Sequence, residues 1–170
     1  MKSNIVLIGF MGTGKTAVGR VLAEKLGKKF VELDDIISKR AMKSIKRIFA
    51  EDGEVAFREL EINLAKEVSE KENQVIACGG GVVLNKINID RLRENGIVVY
   101  LTASPEAILN RVSEGNERPL LSTPDKEERI GTLLRERKPY YERSYDIRVN
   151  TSRLSVHGTA SKILNELKKA

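Results

Sequence analysis

The apolar positions of this chain follow two rhythms that alternate from one end to the other. Short β-branched runs, NIVLIG (4–9), KFVEL (29–33), QVIAC (74–78), GIVVYL (96–101) and DIRVN (146–150), read as strands. Between them, apolar residues recur every three or four positions, the period of an amphipathic helix. TAVGRVLAEKLG gathers Val18, Val21, Leu22 and Leu26 on one face and stops at Gly27, a residue suited to the left-handed position that ends helices. GEVAFRELEINLAKEVSEK does the same with Phe57, Leu60, Leu64 and Val68, and a last helix from about 156 to 169 turns Ile163, Leu164 and Leu167 inward. Ser104-Pro105 and Thr123-Pro124 each read as an N-cap followed by proline at the first helical position. This alternation predicts an α/β fold, a parallel sheet covered by helices on both faces. SEGNERPLLSTP (113–124) keeps neither rhythm and carries Gly115, Pro119 and Pro124. It predicts a surface loop long enough to serve as a mobile lid.

Composition narrows the setting. At 170 residues and 41% apolar, the chain sustains one domain (1–170) with its own core, and no repeat, linker or low-complexity tract divides it. The single cysteine, Cys78, has no partner for an internal disulfide and reads as a small packed residue in a reducing compartment. The apolar run after Lys2 breaks at Gly9, and no later run approaches the ~20 residues of a membrane helix. The expectation is a cytoplasmic protein without a membrane partner. A net charge of +6 is spread among 24 acidic residues, and only 5% of the chain is aromatic. That pattern argues against a nucleic-acid partner and suits a pocket for a polyphosphate and a small acid.

The chemistry starts at GFMGTGKT, a full GxxxxGK[ST] pattern from Gly9 to Thr16. It follows an apolar strand and opens an amphipathic helix, where backbone N–H groups and the positive helix end surround phosphate oxygens. Gly12, Thr13, Gly14 and Ala17 belong to this cradle; Lys15 is placed to reach the β- and γ-phosphates, and Thr16 offers a hydroxyl to Mg²⁺. GTPases, motor ATPases and small-molecule kinases share this loop. No guanine-recognition stretch of the NKxD kind occurs, and the length leaves little room for the parts of a motor, which favours a small kinase.

Acceptor groups are expected beyond the carboxyl ends of the strands. Asp34 and Asp35 follow the second strand, either as helix-capping carboxylates or as one that orients an acceptor hydroxyl. Gly79, Gly80 and Gly81 follow the third; three consecutive glycines suggest a backbone that something approaches closely, with no packing role of their own. Arg58 and Glu61, three apart on a helix, are spaced for a surface ion pair, and Phe49 and Phe57 read as core.

GFMGTGKT, Asp34, IFAEDGEVAFRELE, ACGGG, ERPLL and RERKPYY together occur in the order and approximate spacing of the bacterial shikimate kinases, a resemblance that covers essentially the whole chain. It implies a three-layer α/β/α P-loop kinase fold with strand order 2-3-1-4-5, a substrate-binding helical region at about 34–61, and a lid at about 113–124. It implies ATP:shikimate 3-phosphotransferase activity with ATP as co-substrate and Mg²⁺ held through Thr16, and a monomeric enzyme. By the same resemblance Asp34 contacts the ring hydroxyls of shikimate, Arg58 and Arg137 hold its carboxylate, and Gly79, Gly80 and Gly81 supply backbone contacts. Phe49 and Phe57 flank the ring, and Glu61 orients Arg58. Lys15, Asp34 and Arg118 form the catalytic set; Arg111, Arg118, Pro119 and Arg153 join the nucleotide site. The family commonly shows two aspartates one residue apart, whereas this chain reads Glu32-Leu33-Asp34-Asp35. Glu32 then takes the second position, near magnesium-bound water, with Asp35 as the competing assignment for Asp34.

Overall fold

The computed structural model describes residues 1–112 and 125–170. The expected lid, with Arg118, Pro119 and the Thr123-Pro124 helix start, lies outside the described residues. Five strands, β1 (Asn4–Ile8), β2 (Lys29–Glu32), β3 (Gln74–Ala77), β4 (Gly96–Thr102) and β5 (Ile147–Asn150), alternate with eight helices among the described residues. These are α1 (Lys15–Leu26), α2 (Leu33–Ala41), α3 (Ile45–Glu51), α4 (Glu54–Ser69), α5 (Lys86–Asn95), α6 (Pro105–Val112), α7 (Lys126–Glu142) and α8 (Val156–Lys169).

The strands form one parallel sheet in the order β2-β3-β1-β4-β5. β1 is central, with Val6 opposite both Ile76 of β3 and Val98 of β4. A parallel sheet is covered on both faces, so its strands are apolar on both. All five residues of β1 are buried, and successive side chains serve opposite layers. Val6, Ile8, Ile76 and Val98 meet Ile48, Phe57, Leu64, Leu92 and Tyr141 on one side. Ile5, Leu7, Val75 and Val99 meet Val18 and Leu22 of α1 and Ile163 of α8 on the other.

The local signals behave as their chemistry requires. Gly27 ends α1 in the left-handed region, its N–H returning to the Ala23 and Glu24 carbonyls. The Ser104 hydroxyl accepts from the Ala107 N–H at 3.1 Å and caps α6. Two expected core positions are corrected. Leu26, the last residue of α1, is 38% exposed, and Leu60 is 40% exposed. The buried stripe of α4 runs Phe57, Glu61, Leu64, Ala65, Val68, which leaves Leu60 at its rim. α5, a helix not among the sequence expectations, buries Asn88, Ile89 and Leu92 of its ten residues. No helix among the described residues is long and apolar enough to cross a membrane.

Candidate active site

The loops after β1 and β3 flank the crevice where the connections diverge to the two sides of the sheet, the usual ligand position in such folds. A cleft of about 250 Å³ opens there, lined by Gly12, Gly14, Lys15, Thr16, Asp34 and Gly80 among others. Ala17, Glu32, Gly79 and Arg111 border it too.

On its donor side, Gly12 (φ 78°) and Gly14 (φ 97°) occupy the left-handed region, which lets the backbone curl around an anion. The loop carbonyls are taken up by donors from the loop itself and from the chain around it. Phe10 O accepts from the Thr13 hydroxyl at 2.7 Å, and Lys15 Nζ donates to Gly9 O at 2.6 Å and Phe10 O at 2.9 Å. Arg111 Nη1 donates to Gly12 O at 3.1 Å, and the Thr151 hydroxyl donates to Thr13 O at 3.1 Å. Lys15 is buried, held at the loop it serves. Thr16, in the first turn of α1, donates through Oγ1 to Glu32 Oε1 at 2.5 Å. Ala17 is exposed beside it, and Arg153 is exposed in the turn between β5 and α8, away from the cleft lining.

On the acceptor side, the structure separates the two aspartates. Asp34, in the first turn of α2, faces the cleft, while Asp35 points outward to Lys39 at 2.9 Å and is half-exposed. Of the two aspartates, Asp34 is therefore the one in the cleft. The triple glycine has a packing role after all. A Cβ on Gly79 would lie 2.6 Å from Asp34 Oδ1, one on Gly80 3.3 Å from Arg137 Nη1, and one on Gly81 2.5 Å from Arg58 Nη2. Neither Gly79, Gly80 nor Gly81 has positive φ, so room rather than backbone freedom selects glycine here. Each admits a different charged side chain to the same turn.

Arg58 and Glu61 form an ion pair at 2.9 Å, but it is not a surface pair: Glu61 is fully buried and Arg58 nearly so. Arg58 also reaches Glu54 Oε1 at 3.3 Å, and its guanidinium stands 5.2 Å from the Phe57 ring centre and 6.0 Å from that of Phe49. The two rings touch, centroids 4.7 Å apart, with Phe57 buried and Phe49 half-buried. Burial pushes the Glu61 carboxyl up to about 7; the Arg58 charge pulls the other way without overcoming it. Arg137 is buried on α7, 5.9 Å from the Phe10 ring centre. Burial also pushes up the Cys78 thiol, which fits a packed rather than a reactive cysteine.

Two residues that the sequence did not single out help to shape the site. Tyr141 donates its phenolic proton to Gly80 O and stacks on Tyr100 with ring centres 5.0 Å apart. In a trans peptide the carbonyl and the following N–H point opposite ways, so this bond turns the Gly81 N–H away from Tyr141. Thr151 is the second. A tyrosine in RERKPYY and a threonine just past a strand carry no periodic or motif signal of a contact 61 or 138 residues away.

The oxygen donors suit a hard cation. Thr16 Oγ1 and the Glu32 carboxylate lie side by side at the helix start, and no cluster of three or more His, Cys, Asp or Glu occurs among the described residues. One or two protein oxygens beside a phosphate cradle fit Mg²⁺, which shares its coordination with phosphates and water.

The sheet order, the phosphate loop and the facing pocket of carboxylate and guanidiniums define a P-loop kinase of small molecules. A gluconokinase from Sinorhizobium meliloti shares this fold at a TM-score of 0.67 and 18% identity, over 99% of this chain and 93% of that one. More specifically, the shikimate kinase family model matches residues 11–168, and the chain belongs to the shikimate kinase family. The shikimate kinase of Thermodesulfovibrio yellowstonii is 45% identical over 98% of this chain and 95% of its own length. That of Pelotomaculum thermopropionicum is 46% identical over 98% and 96%. The solved shikimate kinase from Acinetobacter baumannii, in complex with shikimate, superposes at a TM-score of 0.94 with 36% identity, covering 98% of this chain and 93% of that one. As a kinase of this family, the protein takes ATP as co-substrate.

Proposed function

We propose that the protein transfers the γ-phosphoryl group of MgATP to the 3-hydroxyl of shikimate, giving shikimate 3-phosphate and ADP. The observation that carries this reading is the triple-glycine turn, which brings Asp34, Arg137 and Arg58 against three successive residues on the acceptor side of the phosphate loop. Two largely buried guanidiniums answer the carboxylate of a small acid, and a carboxylate in the cleft with the P-loop answers its hydroxyls.

In the transfer, the acceptor oxygen forms a bond to the γ-phosphorus as the bond to the β-phosphate oxygen breaks, and the hydroxyl proton passes to Asp34 or solvent. The transition state is loose, so the protein chiefly aligns the partners, an effect worth ~7–11 kcal/mol. Asp34 aims the hydroxyl; Arg58 and Arg137, with the Gly80 and Gly81 backbone, fix the other end of the ring; Phe49 and Phe57 bound its faces. Lys15 and Arg118 offset charge on the phosphoryl oxygens. Thr16, with Glu32 alongside, would hold Mg²⁺, which when bound would supply charge neutralisation to the nucleotide phosphates. Arg111, Pro119 and Arg153 complete the nucleotide side, residues 34–61 act as the substrate-binding region, and 113–124 as the lid. Every protein group named comes from one chain, so a monomer suffices.

The test is ADP release from MgATP with a panel of acceptors that includes shikimate and gluconate. Turnover with shikimate alone is expected; turnover confined to another acid overturns the substrate while leaving the kinase class intact.

A further inference from the structure

A phosphate loop binds by turning its N–H groups inward, which forces its carbonyls outward, where each needs a donor. Gly9 O and Phe10 O are served from within the loop, by Lys15 and Thr13. Gly14 O accepts the Val18 N–H at 2.9 Å, an ordinary helical bond. Gly12 O and Thr13 O, at the tip, depend on residues from the other half of the chain, and both lines of support meet at Thr151.

Thr151 lies just past β5 and is 2% exposed. Its hydroxyl lies 3.1 Å from Thr13 O and 3.0 Å from Thr102 O and accepts from Arg111 Nη1 at 3.1 Å; Thr102 O already has the Thr151 N–H, which leaves the single hydroxyl proton for Thr13 O. Its carbonyl accepts from Arg111 Nη2 at 2.8 Å, and its own N–H donates to Thr102 O at 2.7 Å. The same Arg111 Nη1 donates to Gly12 O. One side chain thus ties the ends of β4 and β5 to the loop directly, and again through Arg111.

We infer that Thr151 is a positioning residue for the nucleotide: its hydroxyl holds the Thr13 carbonyl outward, and thereby aims the Gly14 N–H into the cleft and fixes Arg111 at its border. The peptide geometry makes the link, since the Thr13 C=O and the Gly14 N–H belong to one trans unit and point opposite ways. Thr151 is not among the residues that line the cleft and acts only through this peptide and Arg111. Valine has the shape of threonine without the hydroxyl, so Thr151→Val removes the brace and keeps the packing. Serine keeps the brace and loses a methyl group.

The inference rests on the cleft being the nucleotide site, and ADP titration by calorimetry tests the two separately. Wild-type protein is expected to bind ADP, and Thr151→Val to bind it about tenfold more weakly, in line with a hydrogen bond to a buried carbonyl. The KM for MgATP should rise in parallel, with the KM for the acceptor within about twofold of wild type. Thr151→Ser should recover ADP affinity to within about threefold. If Thr151→Val does not yield folded protein, Thr151→Ala carries the same expectation. Wild-type protein that fails to bind ADP overturns the site and the inference together. Unchanged ADP affinity in the valine variant, or equal losses for nucleotide and acceptor with no recovery in serine, overturns the inference alone.

Discussion

Glu61 is the group whose removal can be worked out most fully. Its carboxyl is fully buried beside Arg58, with the charges of Asp34 and Arg137 close enough to act on it, and burial raises it to about 7 from the ordinary value near 4.5. The folded protein therefore holds this proton more tightly than the unfolded chain. The resulting stabilisation is complete below pH 4.5 and is lost as pH rises through 7. At ~1.4 kcal/mol for each pH unit separating the two values, the loss is at most about 3 kcal/mol. Glu61→Gln keeps the size and an acceptor for Arg58 but removes the titration. Urea unfolding of both proteins at pH 5, 6, 7 and 8 isolates the effect of this one carboxyl, because the other titrating groups are common to both. Between pH 5 and 8 the wild type should lose about 1–3 kcal/mol relative to the variant. A wild-type-to-variant difference that stays constant to within about 0.5 kcal/mol across that range would refute the reasoning.

Three further substitutions separate the two halves of the site. Gly79→Ala places a methyl 2.6 Å from Asp34 Oδ1; kcat/KM for the acceptor should fall about 100-fold, the scale of an ångström misplacement, while ADP affinity stays within about twofold. A variant with normal acceptor kinetics would show that Asp34 does not need its observed position. Tyr141→Phe removes the donor to Gly80 O; the KM for the acceptor should rise about three- to tenfold with KM for MgATP unchanged, and a drop in melting temperature without this split would make Tyr141 purely structural. Arg118→Ala should lower kcat by on the order of 10³ with ADP affinity near normal, and an unaltered kcat would take Arg118 out of the transfer.

The parallel sheet was legible because strands buried on both faces must be apolar at consecutive positions, as in NIVLI. The phosphate loop was legible because it is contiguous: Gly12, Gly14, Lys15 and Thr16 act within five residues. The proposed acceptor pocket has no such economy. Asp34, Arg58, Gly79 and Arg137 are scattered over a hundred residues, and only a resemblance assembled them. Composition could not tell Asp34 from Asp35; the turn of α2 does, by aiming one at the cleft and the other at Lys39. Arg58 and Glu61 looked like a surface pair because spacing reports proximity along a helix and not which face is buried. The glycines signalled close approach, but not that the approaching groups were three side chains of the protein itself. Thr151 and Tyr141 left no trace, since a hydrogen bond to a distant carbonyl imposes no local pattern.

The proposed reaction is defined by which oxygen receives the phosphoryl group. Phosphorus-31 NMR of the products from MgATP and shikimate reads this directly, through the coupling of the new phosphorus resonance to the ring proton on the esterified carbon. ADP and a single ester at the 3-hydroxyl, formed in equal amounts, is the expected result. ADP with inorganic phosphate alone, or an ester at another hydroxyl, would contradict it.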